Sequence, residues 1–161
     1  MTFIIRPFES ADQAWAANLW RERWASVTVS SRGKLHYALE LAGFVAWLND
    51  QRAGIITYRQ DGMGGLEIVT LDSLIERVGL GTALIEAVRT QAQEVGCRRV
   101  WLITSNDNLN GMRFYQKRGM RLVAIHRDAI TEARKTLKPS IPFLGDNDIP
   151  IMDEIELEFL L

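Results

Sequence analysis

The stretch Leu66–Val88, LEIVTLDSLIERVGLGTALIEAV, constrains the fold more than any other part of the sequence. It opens with Leu66–Leu71, an apolar run of strand length rich in β-branched residues. A turn follows, then Gly79-Leu80-Gly81, and then Leu80, Ala83, Leu84, Ala87 and Val88 recur at helical spacing. A strand that runs through a glycine turn into a helix is a device for holding phosphate. The glycines let the backbone approach closely. The unpaired N–H groups of the first helical turn then face the anion, and the helix dipole favours negative charge there. A phosphate-bearing ligand at this turn is the first expectation.

The rest of the chain supplies a frame around that unit. A length of 161 residues predicts one domain, residues 1–161, large enough to bury a core without disulfides. The net charge of -1 argues against a nucleic-acid or anionic-membrane partner. The single cysteine, Cys97, rules out an internal disulfide and a multi-cysteine metal site. No metal is expected, since His36 and His126 show no ligand spacing. No leader or membrane-spanning run is apparent, so a cytoplasmic location is expected.

In chain order, Thr2–Arg6 reads as a strand stopped by Pro7, and Ser10 or Asp12 caps a helix over 13–25 that carries Trp15, Leu19, Trp20 and Trp24. Ser30–Lys34 is a loop signal, and 35–42 is helical or irregular. Gly43–Leu48, Ala53–Arg59 and Leu66–Leu71 form an antiparallel meander. After the helix ends near Glu94, Arg99–Thr104 is a buried strand, parallel to Leu66–Leu71 through a right-handed crossover. A helix over 109–118, a strand over 120–125, a short helix over 129–137, a loop over 143–151 and a half-buried strand over 153–161 complete the chain. The layout predicts an α+β class: a mixed, mainly antiparallel central sheet of about seven strands with helices on both faces.

Two nucleotide signatures fail at the turn. A P-loop needs Lys-Ser/Thr after its last glycine, and Leu80-Gly81-Thr82 has no Lys. A dinucleotide fingerprint needs a third glycine at position 84, which is Leu, and the preceding strands form a meander. The turn combines, however, with a later run, Thr104-Ser105-Asn106-Asp107-Asn108-Leu109-Asn110-Gly111-Met112-Arg113-Phe114-Tyr115-Gln116-Lys117-Arg118-Gly119-Met120. Together they resemble the GNAT-type N-acetyltransferase superfamily, whose patterns are Gln/Arg-x-x-Gly-x-Gly/Ala and Thr-x-x-x-Asn-x-x-Ala-x-x-Phe-Tyr-x-x-x-Gly-Phe. The order of elements matches from Phe3 to Leu161. Glu76 stands where the turn pattern has Gln or Arg, with Arg77 beside it as a substitute positive charge. Gly111 replaces the usual Ala and Met120 the usual Phe.

The resemblance implies an acyl-CoA N-acyltransferase fold and acetyl-CoA as co-substrate, with an amine acceptor that is a small molecule or a protein amine. A homodimer is compatible with it. The backbone of Leu71, Asp72 and Ser73 would then bond the pantetheine arm. The amides of Arg77, Val78, Gly79, Leu80, Gly81 and Thr82 would hold the pyrophosphate, Asn108 would bond the pantetheine, and Phe114 and Tyr115 would line the channel. Acetyl transfer needs donors for the thioester oxygen, a neutral amine and an acid for the leaving thiolate, whose thiol has a pKa of about 8.5. Tyr115 is the candidate acid; the plainer role of Phe114-Tyr115 is to anchor its helix. Glu67 is the candidate base. By strand alternation it shares a face with Val69 and Leu71, and a lone carboxylate in an apolar strand has a raised pKa. Its plainer reading is a solvated strand-end acid. His36 and His126 are lesser candidates, and Asp72 also serves the turn. The acceptor is expected against the Trp helix, residues 27–39 and the loop 143–151. Trp walls suit an apolar amine, and Asp146 and Asp148 a cationic one. The alternatives are a non-catalytic acyl-CoA-binding module on the same fold, or a binding domain that takes no coenzyme.

Overall fold

A computed structural model describes residues 2–161. The elements in chain order are β1 (Ile4–Pro7), α1 (Gln13–Trp24), β2 (Thr28–Ser31), β3 (Lys34–Tyr37), β4 (Ala42–Leu48), β5 (Gln51–Gln60), β6 (Gly65–Ser73), α2 (Leu80–Glu94), β7 (Arg99–Ser105), α3 (Leu109–Lys117), β8 (Arg121–His126), α4 (Ala129–Thr136) and β9 (Glu154–Leu160). Among the described residues, seven strands form the mixed, mainly antiparallel sheet that the sequence predicts, and β2 and β3 pair separately. The chain divides into two compact units. One takes in the chain up to Val29, Tyr37–Val100 and Leu161; the other takes in Ser30–His36 and Trp101–Leu160.

In the first unit the meander forms as expected, with β1 pairing β4, β4 pairing β5 and β5 pairing β6, all antiparallel. Asp61 closes the β5–β6 turn: its Oδ1 accepts the N–H groups of Met63 at 2.7 Å and Gly65 at 2.9 Å. Helix α1 turns Ala16, Leu19 and Trp20 inward against Ala38, Val45 and Ile55. These spacings make one apolar stripe. The helix stops where Ala25 turns left-handed. Asp12 does not cap it. That carboxylate instead accepts from Glu9 N at 2.9 Å and pairs with Arg52 Nε at 2.8 Å. Helix α2 covers the other face of these strands with Leu80, Leu84, Ile85 and Val88. It comes so close to Gly54 that a Cβ there would collide with Leu80. That contact fixes the height of the α2 N-terminus over the sheet.

The second unit holds a correction. Strand β9 is not half-buried: Ile155, Leu157 and Phe159 are buried on one side, and Glu154 and Glu156 are buried on the other. The acids are covered. Arg32 donates its backbone N–H to Glu154 at 3.2 Å, and His126 Nε2 lies 2.9 Å from Glu156 Oε1. Arg32 and Gly33 both have positive φ and turn β2 back into β3, a hairpin where the sequence suggests a loop followed by a helical or irregular stretch.

Candidate active site

Strand β6 carries the first group of candidate residues, and its register decides which way they point. Thr57 pairs with Thr70 and Tyr58 pairs with Ile68, so Val69 is an extra residue, a bulge. The bulge overturns the expected alternation. Glu67, Thr70 and Asp72 lie across from Arg59, Thr57 and Ile55 and share one face; Ile68, Leu71 and Ser73 share the other. Side-chain contacts agree with this register. The Thr57 and Thr70 hydroxyls are 2.7 Å apart, and Arg59 Nε donates to Glu67 Oε2 at 2.8 Å. Glu67 therefore does not share a face with Leu71. It is not a solvated acid, at 1% exposure, and it is not alone, because its charge is matched by Arg59.

Asp72, at 4% exposure, is the second buried carboxylate of this face. Its side chain reaches α1, where Trp20 Nε1 donates to Oδ2 at 3.0 Å and Arg23 stands 3.7 Å from Oδ1. Burial pushes its pKa up to about 6, against the opposing pull of the Trp20 hydrogen bond and the Arg23 charge. Arg23 and Arg59 are thus polar members of the site region that sequence reasoning missed, and the indole N–H of Trp20 is a partner for Asp72 that it did not foresee. Arg59 had a signal: it and Glu67 are equally far from Met63, the middle of the β5–β6 turn. Trp20 and Arg23 had none, being about fifty residues from their partner.

Beyond β6 the turn is tied down by Leu74 N donating to Ala53 O at 2.9 Å and Ser73 Oγ donating to Ile75 O at 2.9 Å. Arg77 has φ 62, the left-handed region that non-glycine residues rarely occupy, inside the segment expected to meet a ligand. Gly79, the N-cap of α2, is also left-handed at φ 84 and supplies no capping side chain. Open space surrounds the position where its Cβ would sit. Leu80 and Gly81 are buried, while Glu76, Arg77 and Gly79 are exposed. The first turn of α2 therefore presents backbone donors with no side chain from its N-cap to satisfy them. Burial and the charge of Asp61 push the Cys97 thiol's pKa up, away from the thiolate.

In the second unit, Asn108 caps α3. Its Oδ1 accepts from Gly111 N at 3.1 Å, and its Nδ2 donates to Thr104 Oγ1 at 2.8 Å. A Cβ at Gly111 would overlap the Asn108 amide, so the glycine makes room for this cap. Phe114 and Tyr115 meet edge to face with centroids 5.4 Å apart, and Arg118 lies 3.5 Å over the Phe114 ring. Both rings are half-buried. His126 is committed to Glu156. The loop 143–151 is fastened from below: buried Arg134 donates to the carbonyls of Ile141, Pro142 and Ile151, and Asp107 accepts from Asp146 N at 2.9 Å. Asp146 and Asp148 are exposed on it.

Comparison with known proteins places these features in a family. The model of the acetyltransferase (GNAT) family matches residues 9–120. The Bacillus subtilis (strain 168) protein YdhI is 39% identical over 154 residues, 94% of each chain. A Bacillus subtilis acetyltransferase solved in complex with CoA superposes with a TM-score of 0.72 at 19% identity, covering 99% of both chains. A GNAT family acetyltransferase from Elizabethkingia anophelis with acetyl-CoA bound gives 0.71 at 16% identity, covering 99% of this chain and 98% of the other. At such identities the likeness is one of fold.

Proposed function

This chain belongs to the acetyltransferase (GNAT) family, and on that premise we propose that it moves an acetyl group from acetyl-CoA to a primary amine by direct attack on the thioester. The observation that carries the reading is the first turn of α2, behind left-handed Arg77 and Gly79 and without a capping side chain. That is the donor set a pyrophosphate needs. In this reading the amides of Arg77, Val78, Gly79, Leu80, Gly81 and Thr82 hold the pyrophosphate, and the backbone of Leu71, Asp72 and Ser73 bonds the pantetheine. Asn108 adds a hydrogen bond with the capacity its cap leaves over, since an amide has two donors and two lone pairs. Phe114 walls the channel. Acetyl-CoA, when bound, supplies an acyl group already activated as a thioester. Glu67 takes the proton of the acceptor ammonium through intervening water; Tyr115 gives its phenolic proton to the leaving sulfur and regains one from the nitrogen as the tetrahedral intermediate collapses to the amide.

Titration with CoA and thiol release from acetyl-CoA over a panel of amines test this. Binding at physiological salt and amine-dependent thiol release are expected. Tyr115→Phe and Glu67→Gln are expected to lower turnover about a hundredfold with CoA affinity kept. No binding of CoA to the intact chain would sink the proposal. Unchanged turnover in either variant would remove that residue from its role.

A further inference from the structure

A groove of about 410 Å³ runs along α1, lined by Trp15, Asn18, Leu19, Glu22, Arg23 and by Leu74 from the exit of β6. The helical members fall three, four, seven and eight residues after Trp15, one side of the helix. The volume is within the range of small-molecule sites. We infer that this groove takes the acceptor by its carboxylate, on Arg23, and that the acceptor class is a small amine with one carboxylate and an apolar body, such as an apolar α-amino acid. The inference rests on the acetyltransferase reading for its amine and on the groove for the rest.

Arg23 is oriented without being used up. Among the described residues its guanidinium stands 3.7 Å from Asp72 Oδ1 and 3.5 Å from the carbonyl of Ser73, both long contacts, and 42% of its side chain is exposed. A guanidinium carries five N–H donors in a planar fork that matches a carboxylate. Asp72 is meanwhile satisfied by Trp20 at 3.0 Å, so it steadies Arg23 without sealing it in a tight pair. Trp15, Leu19 and Leu74 give the groove an apolar wall. Glu22, exposed and among the described residues without a hydrogen bond or ion pair, stands beside the arginine and disfavours a second negative charge. A cation and a carboxylate on one apolar wall complement a zwitterion.

The test is calorimetry on the whole chain in saturating CoA, with L-phenylalanine, 3-phenylpropanoate and phenethylamine as probes. The two carboxylates are expected to bind, and phenethylamine to bind about tenfold or more weakly. Arg23→Gln is expected to weaken phenylalanine by a similar factor, and Arg23→Lys to restore part of it. Equal binding of phenethylamine, an unchanged Arg23→Gln, or no binding of either carboxylate to the native chain overturns the inference. In any of those cases, retained CoA binding and thiol release with other amines leave the acetyltransferase reading standing. Loss of CoA binding by the native chain brings down that reading instead.

Discussion

Two carboxylates on one face of β6 have been treated in opposite ways by the fold. Glu67 near the start of the strand is 1% exposed and is met by Arg59 at 2.8 Å. Asp72 near its end is 4% exposed, takes an indole N–H at 3.0 Å and has the Arg23 guanidinium at 3.7 Å. Both lost their water. One regained a full opposite charge, while the other regained mainly a neutral donor, and its pKa rises to about 6. Burial alone therefore does not tell what a strand carboxylate is for. The base proposed at Glu67 would work from inside an ion pair. Asp72 is the group whose charge changes near neutral pH, and it joins the sheet to α1.

The largest expected effect comes from breaking the Glu67 pair from the arginine side. Arg59→Met keeps much of the apolar stem but takes the guanidinium away from a buried carboxylate. Breaking a buried ion pair from one side costs about 3–5 kcal/mol. Adding Glu67→Gln removes the buried charge and should recover most of it, a coupling that a double-mutant cycle in urea measures. A single-mutant cost below about 1 kcal/mol would mean Glu67 is stabilised by other groups, and the contrast with Asp72 would collapse.

The next effect is smaller, of opposite sign, and confined to one pH window. The folded chain holds the Asp72 proton more tightly than an unfolded chain does, so this group favours folding below about pH 4. That contribution is lost as pH rises through its folded value of about 6. By pH 7 the fold has lost up to about 3 kcal/mol of the stability that this group gives it in acid. Asp72→Asn keeps an acceptor for Trp20 and cannot ionise. It should therefore match the parent near pH 4 and become the more stable chain between pH 5 and 7, by thermal melts across that range. A gap that does not vary with pH would mean Asp72 is not the buried titrating acid.

The frame that places these groups was legible in the sequence because it rests on local periodicity. The run Leu66–Val88 does become β6, a left-handed Gly79 and α2, and the meander, α3 and β9 lie where alternation and helical spacing put them. What was not legible depends on distant partners. Nothing within Leu66–Leu71 marks Val69 as the extra residue, since a bulge is defined by the partner strand, yet it moves Glu67 and Asp72 onto one face. The match of Trp20 to Asp72 has no local signature. The β2–β3 hairpin was hidden by its four-residue strands and an Arg-Gly turn, a weaker signal than Asn-Gly. Asn108 was assigned to a ligand on resemblance, while its cap on Gly111 N, three residues on, was open to reading from spacing alone.

The smallest effect concerns the neutral donor that Asp72 shares its burial with. Trp20→Phe removes the indole N–H that reaches Oδ2 and also leaves space in a core position that is 0% exposed. The space costs the same at every pH. The lost hydrogen bond does not, because it favours the ionised carboxylate and its removal raises the Asp72 pKa further above about 6. The destabilisation should thus be about 1–2 kcal/mol greater at pH 7.5 than at pH 4.5. In the Asp72→Asn background, where no charge forms, the same substitution should cost equally at both pH values. Melts of the four chains at the two pH values separate the terms. A cost independent of pH in the native background would show that the indole only fills space, and that Asp72 draws its hold on the ionised form from Arg23.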